Sequence, residues 1–338
     1  MIEQKRMSTT SLEALFQRYK TAGWWILAPR AEGDITTFGE VDSPGDVAAG
    51  LIQTTLSPKS AVLPIWEELF RFRRGESGIE VVEAAESSVP TIIFGLRPCD
   101  ARAFAALDAV FTWDSQDEPY LARRNKVAFV SIACNQADDY CFCTSTGGGP
   151  GDTAGSDLLL TGVGDEYLVE VVTERGVELA GIAGELFGPA EGMDKAAHLA
   201  SVPVRFDLDR LRQVLPKTFD REELWIDQSL RCLGCGACAY VCPTCVCFDI
   251  QDEATRHGGA RVRCWDSCGF SLFTLHTSGH NPREVQSHRW RQRVMHKFAY
   301  MPERLQVLGC VGCGRCSRAC PVDMNLAEHL AVIAESGE

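Results

Sequence analysis

Nowhere does this sequence approach the roughly 18 consecutive apolar residues that a membrane-crossing helix needs. Its first residues, MIEQKRMSTTSLEALF, also lack an apolar run followed by a small-residue cleavage site. Membrane insertion and export are not expected, and a cytoplasmic location is. Positive charge is short as well: 33 Lys and Arg stand against 46 Asp and Glu, a formal net charge of -13. Non-specific nucleic-acid binding runs on a surplus of Lys and Arg that neutralises phosphates, so nucleic acid is not an expected partner. An acidic surface suits a protein partner with a basic docking patch. Signatures of catalysis are missing too. The Gly147-Gly148-Gly149-Pro150 stretch fits neither G-x-G-x-x-G nor G-x-x-x-x-G-K-[ST], His276 and His280 in HTSGH lack the Glu of the zinc motif H-E-x-x-H, and no G-x-S-x-G elbow occurs. No residue is singled out as catalytic.

What is present is a chain of 338 residues, 45% hydrophobic, long enough for two domains that each bury a core. In SLEALFQRYKTAG, Leu12, Leu15, Phe16 and Tyr19 recur at helical spacing and Gly23 can stop the helix. WWILAP, PTIIFGL and KVAFVSIAC read as strands, and DARAFAALDAVF between the last two reads as a helix. This β-α-β alternation predicts a partly parallel sheet. DLLLTGVGDEYLVEVVTERG predicts a hairpin turned at Gly164-Asp165. Residues 194 to 230 read as mostly helical, with the domain boundary near 215. The expected architecture is an α/β or α+β domain with a mixed sheet over 1–215, followed over 216–338 by a mostly α-helical ferredoxin-like domain.

The anomalous feature is 16 cysteines. In a reducing compartment so many thiols read as metal ligands rather than disulfides. Two runs repeat: CLGCGACAYVCP at 232–243 and CVGCGRCSRACP at 310–321. Each is C-x2-C-x2-C-x3-C-P, in which three thiolates hold one [4Fe-4S] cluster and the fourth crosses to the other. By that rule Cys232, Cys235, Cys238 and Cys320 hold one cluster, and Cys310, Cys313, Cys316 and Cys242 hold the second. Gly234, Gly236, Gly312 and Gly314 let the backbone approach closely, and Pro243 and Pro321 fix the chain after each fourth cysteine. Paired zinc sites use two C-x2-C units at longer separation and need no third step, so iron is expected. A long insert separates the two runs, and within it EVQSHRWRQRVMHKFAYM has helix-forming composition.

Eight cysteines remain. Cys99 in GLRPCD and Cys134 in SIACN lie at adjacent strand ends, with Cys141 and Cys143 following in CFCTSTGGGP. Sites form at the carboxyl edge of such strands, so these four are candidates for a third cluster. The other reading makes Cys99 and Cys134 buried structural thiols, with Cys141 and Cys143 a local redox pair. Cys245, Cys247, Cys264 and Cys268, in CPTCVCFDI and RVRCWDSCGF, are candidates for a fourth cluster unless one of them is spare. Arg231, Arg315 and Arg318 flank the ligands and either raise a potential, form a docking face or are plain solvated arginines.

At GLRPCDARA, CFCTSTGGGP, CPTCVCFDI, RCWDSCGF and GHNPRE the chain resembles a family of iron-sulfur proteins, over residues 10 to 330. The family is that of the sulfhydrogenase β-subunits and the A-type subunits of anaerobic sulfite reductase. The resemblance implies recurrent cysteines at the positions of Cys99, Cys134, Cys141, Cys143, Cys245, Cys247 and Cys268, and a variable residue at that of Cys264. It implies a non-catalytic subunit that relays electrons between a flavoprotein linked to NAD(P)H or ferredoxin and a catalytic redox subunit. That subunit would be a hydrogenase, a sulfite reductase or a heterodisulfide-reductase type. Two rival readings are a self-contained iron-sulfur reductase with its own substrate site and a structural assembly subunit whose clusters only hold the fold.

Overall fold

The computed structural model describes residues 2–75, 78–83 and 89–336. The chain opens with strand β1 (Glu3–Ser8), helix α1 (Leu12–Thr21) and the hairpin β2 (Trp25–Glu32) and β3 (Ile35–Glu40). After a loop come β4 (Trp66–Gly75), β5 (Gly78–Glu83) and β6 (Thr91–Leu96). Helices α2 (Pro98–Phe111) and α3 (Glu118–Arg124) lead to β7 (Val127–Ile132). The hairpin β8 (Leu158–Val163) and β9 (Glu166–Val171), helix α4 (Glu174–Ile182) and the short β10 (Gly188–Pro189) complete the first half. The second half contains α5 (Leu208–Val214), α6 (Glu222–Ser229), α7 (Ala237–Tyr240), the hairpin β11 (Phe248–Thr255) and β12 (Gly258–Trp265), α8 (Gln286–Met295), α9 (Met301–Leu305), α10 (Arg315–Arg318) and α11 (Leu326–Glu335).

Eight strands form one mixed sheet in the order β10-β1-β9-β8-β7-β6-β2-β3. Its centre is parallel, β2 to β6 to β7 to β8, and antiparallel strands close both edges. Because strand side chains alternate between faces, the central strands must be apolar on both. Ile92, Phe94, Ala128 and Val130 face Leu15, Phe16 and Tyr19 of α1 and Leu179 of α4. Ile93, Val127 and Phe129 face Phe104, Leu107 and Phe111 of α2. The result is a three-layer sandwich whose parallel strands send their carboxyl ends to one edge, together with Cys99 in the first turn of α2 and Cys134 in the loop after β7.

Most of the predicted elements stand where the sequence placed them, including the Gly164 turn, where φ is +60°. Two differ. Residues 199–207 are irregular, so the stretch before the second half is helical only in part. The insert between the cysteine runs is also not purely helical, since it holds the β11–β12 hairpin. That hairpin joins β4 and β5 in a second, four-stranded antiparallel sheet, so strands from both sides of residue 215 pair with each other. Charged side chains along DIQDEATRHGGARVR hide the strand signal, because β11 is exposed along its length.

An ion network holds the hairpin down. Arg263 on β12, with a side chain 3% exposed, pairs with Glu67 on β4 and with Asp117 at the start of α3. Arg123 reaches the same Glu67 at 2.6 Å. Removing one partner of a buried pair leaves the other charge without compensation. Glu67→Ala is therefore expected to cost about 3 kcal/mol, measured as a lower midpoint in anaerobic urea unfolding.

Candidate functional site

Each cysteine run is a tight loop followed by one short helix, α7 or α10. Gly234, Gly236, Gly312 and Gly314 all have φ between +65° and +76°, a region costly for residues with a Cβ. The close approach they permit is made by other protein segments. A Cβ on Gly312 would lie 2.4 Å from the Phe142 carbonyl oxygen, and one on Gly314 would lie 2.5 Å from that of Tyr140. The second cysteine loop is thus pressed against the loop that carries Cys141 and Cys143, and the Phe142 amide donates to the Gly312 carbonyl at 2.9 Å.

Two cavities sort the ferredoxin-type cysteines. One is rimmed by Cys232, Cys235, Cys238 and Cys320, the other by Cys242, Cys310 and Cys313, and Cys316 borders both. Each cavity is thus bordered by the fourth cysteine of the opposite run, Cys320 in one case and Cys242 in the other. The first lies nearer solvent, for Cys235 is exposed, whereas Cys242, Cys310 and Cys313 are buried.

The N-terminal cysteines converge beside the second cavity. Cys134 lies within electrostatic reach of Cys141 and Cys143, and Cys99 within reach of Cys134 and Cys313. Cys99, Ala103, Val311 and Cys313 pack as one buried group. Gly148 is the passage for Arg102, whose guanidinium would collide with any Cβ there and which donates to the Thr146 carbonyl at 2.7 Å.

Of the flanking arginines, Arg315 is an interior support and Arg318 a half-buried one. Arg315, 2% exposed, grips Asp100 next to Cys99 and donates to the Thr54 carbonyl at 2.8 Å. Arg318 forks onto Asp138 and donates to the Cys141 sulfur at 3.2 Å. Arg231 is exposed and donates to the Asp323 carbonyl at 2.9 Å.

The last set does not assemble as a foursome. Cys247 and Cys268 are in hydrogen-bond contact, and Cys245 is within reach of both Cys242 and Cys247. Cys264 sits on β12 between Asp249 and Trp66, with its sulfur 3.9 Å from the Asp249 carbonyl oxygen and no other thiol beside it. Adjacent residues of a strand face opposite ways, so Cys264 lies on the face of β12 opposite Trp265, which is buried in the core.

Donors that sequence reasoning missed aim at sulfur. Gln286 donates to Cys232 at 3.0 Å, Gln53 to Cys99 at 3.0 Å, and Lys297 to Cys242 at 3.4 Å. Nothing local in the sequence marks them, since each is far along the chain from its thiol. Burial pushes the Cys134, Cys310 and Cys313 thiols up to about 12 and Cys238 up to about 11. A coordinating metal overrides such a shift, because a bound thiol is deprotonated outright. Among the described residues no group of three or more His, Cys, Asp or Glu side chains has the geometry to hold a single metal ion. One zinc at about 2.3 Å from each thiolate would need sulfurs within about 4 Å of one another. Cysteines spaced around cavities, with N–H groups turned toward their sulfurs, fit iron-sulfur cubanes instead.

Such sites define an iron-sulfur protein of the electron-transfer class. The family model for a 4Fe-4S dicluster domain matches residues 231–324. Sulfhydrogenase 2 subunit beta of Pyrococcus furiosus is 30% identical over 334 residues, covering 96% of this chain and 95% of the relative. The chain belongs to the sulfhydrogenase β-subunit family and is an iron-sulfur electron-transfer subunit. No helix among the described residues is long and apolar enough to cross a membrane.

The crossover makes a testable non-additivity. Cys320→Ala and Cys235→Ala are each expected to remove about four irons, and the double variant no more than either, whereas C320A combined with C242A should remove about eight. Anaerobic iron and acid-labile sulfide counts would read this directly.

Proposed function

We propose that this chain relays electrons through three [4Fe-4S] clusters between a flavoprotein linked to NAD(P)H or ferredoxin and a catalytic redox subunit. Hydrogenase, sulfite reductase and heterodisulfide-reductase types are the candidate catalytic partners, and the hydrogenase type is favoured by the name of the relative. The proposed ligand sets are Cys232, Cys235, Cys238 and Cys320; Cys242, Cys310, Cys313 and Cys316; and Cys99, Cys134, Cys141 and Cys143. Bound clusters supply reversible one-electron oxidation and reduction.

The observation that carries the reading is continuity. Cys316 borders both cavities of the ferredoxin-like half, and Cys313 packs against Cys99 of the N-terminal set. A run of redox groups from an exposed end to the edge of the α/β sheet is what a relay requires and what a purely structural role does not. Leu233 beside Cys235 is 67% exposed and Leu272 is 71% exposed, apolar surface suited to a partner at the solvent-facing end. The chain's residues set the potentials. Lys297, buried and donating to Cys242, favours added negative charge at the middle set, while Gln286 turns a neutral N–H on Cys232 of the solvent-facing set.

An EPR-monitored redox titration of the anaerobic protein tests the relay. At least about twelve irons per chain should be present, all in reversibly reducible clusters. Iron that cannot be reversibly reduced would leave only the structural reading. Within the titration, Lys297→Met should lower one potential on the order of 100 mV, because a unit charge at about 6 Å in a medium of ε about 20 is worth about 3 kcal/mol. The other signals should hardly move.

A further inference from the structure

Buried cations in this protein divide into two kinds. Arg263 and Arg315 have carboxylates, Glu67 with Asp117 in one case and Asp100 in the other. Lys59, Arg293 and Lys297 are equally buried, at 3%, 4% and 4% exposure, yet none is paired with a carboxylate among the described residues. Their partners are sulfurs and carbonyls. Lys59 donates to the carbonyls of Ala239 at 3.2 Å and Cys245 at 2.9 Å, and lies 3.8 Å over the Trp265 ring. Arg293 donates to the Cys245 sulfur at 3.4 Å and the Cys238 carbonyl at 2.8 Å. Lys297 donates to Cys242 at 3.4 Å, to Thr244 at 3.0 Å and to the Gly309 carbonyl at 2.7 Å.

Three unpaired charges taken out of water are tolerable only if an anion sits among them. The middle ferredoxin-type set, through Cys242, accounts for Lys297. Arg293 borders both ferredoxin-type cavities, but Lys59 borders neither: it bonds the Cys245 carbonyl while Arg293 also bonds the Cys245 sulfur, and Cys245 is a residue that neither C-x2-C-x2-C-x3-C run uses. Beyond Cys245 lie Cys247 and Cys268, in contact with each other, and Lys59, Arg293 and Lys297 are all within electrostatic reach of this thiol group. These thiols come from separate segments, the loop before β11 and the loop after β12, brought together by the hairpin.

We infer that Cys245, Cys247 and Cys268 hold a fourth iron-sulfur cluster, with Lys59 and Arg293 as its counter-charge and with Cys264 excluded. Taking the other twelve cysteines as ligands of three clusters, as proposed above, and Cys264 as remote, no further cysteine is left. One iron of this cluster therefore has a donor other than cysteine. The dicluster family model describes two clusters, so this site lies beyond it.

The test is an anaerobic iron and acid-labile sulfide count, with Mössbauer spectra, on the full chain and on C264A, C247A and C268S. About sixteen irons are expected in the unaltered chain and in C264A, and about twelve in C247A and C268S, with the remaining clusters still reversibly reduced. About twelve irons in the unaltered chain would overturn the inference without touching the relay, and so would a loss in C264A equal to that in C268S. Should C247A and C268S fail to fold, the unaltered chain and C264A still decide: sixteen irons in both supports the site, and any lower count in either sinks it. Failure of the relay reading looks different, as iron present in full but not reversibly reducible.

Discussion

The structure depends on one contact, the seating of the second cysteine loop against the edge of the α/β sheet. Arg315 lies inside the run CVGCGRC and drives its guanidinium into Asp100, one residue after Cys99, with both side chains almost fully excluded from solvent. Beside it the Phe142 amide bonds the Gly312 carbonyl, and Gly312 and Gly314 have no side chain because two carbonyls of the neighbouring loop stand where a Cβ would be. Without that seating the N-terminal cysteines would be a patch at the end of a sheet. With it they adjoin a dicluster module and share a buried group with Cys313.

Charge follows the same plan. The chain is acidic overall, yet around its buried cysteines it collects Lys59, Arg293, Arg315, Arg318 and Lys297. His296, half-buried beside them, is pushed down to about 4, by burial first and then by the charges of Lys297, Arg283 and Arg293. Acidic outside and cationic within is a sensible division for a carrier: the surface speaks to partners, and the interior stabilises negative charge where thiolates and electrons gather. Of the arginines flanking the runs, Arg315 belongs to this interior arrangement, Arg318 is half-buried beside it and Arg231 is exposed, a division that sequence spacing could not make.

The second sheet is a further consequence. Strands β11 and β12 lie between the two cysteine runs, yet they pair with β4 of the first half. The hairpin carries Cys247 and Cys268 at its ends and leaves Cys264 on the face of β12 opposite Trp265. A chain with separately packed halves would not bring those ends to Lys59.

By itself the sequence determined whatever is local. The two cysteine runs declare a dicluster domain because their fixed spacing of thiolates and glycines suits a cubane, and the continuous apolar runs TIIFGL and VAFVSI declare buried parallel strands because a sheet covered on both faces requires them. Helix α1 was legible for the same reason, since Leu15, Phe16 and Tyr19 share one face. Only the tertiary structure decided what depends on segments distant in the chain. It showed that Gln53, Gln286 and Lys297 turn N–H groups on sulfurs from other elements, that Arg315 is buried rather than solvated, that β11 pairs despite its polar sequence, and that Cys264 parts from Cys245, Cys247 and Cys268. The physical reason is the same in each case: a hydrogen bond or an ion pair is set by which surfaces fold together, and composition within a window carries no record of that.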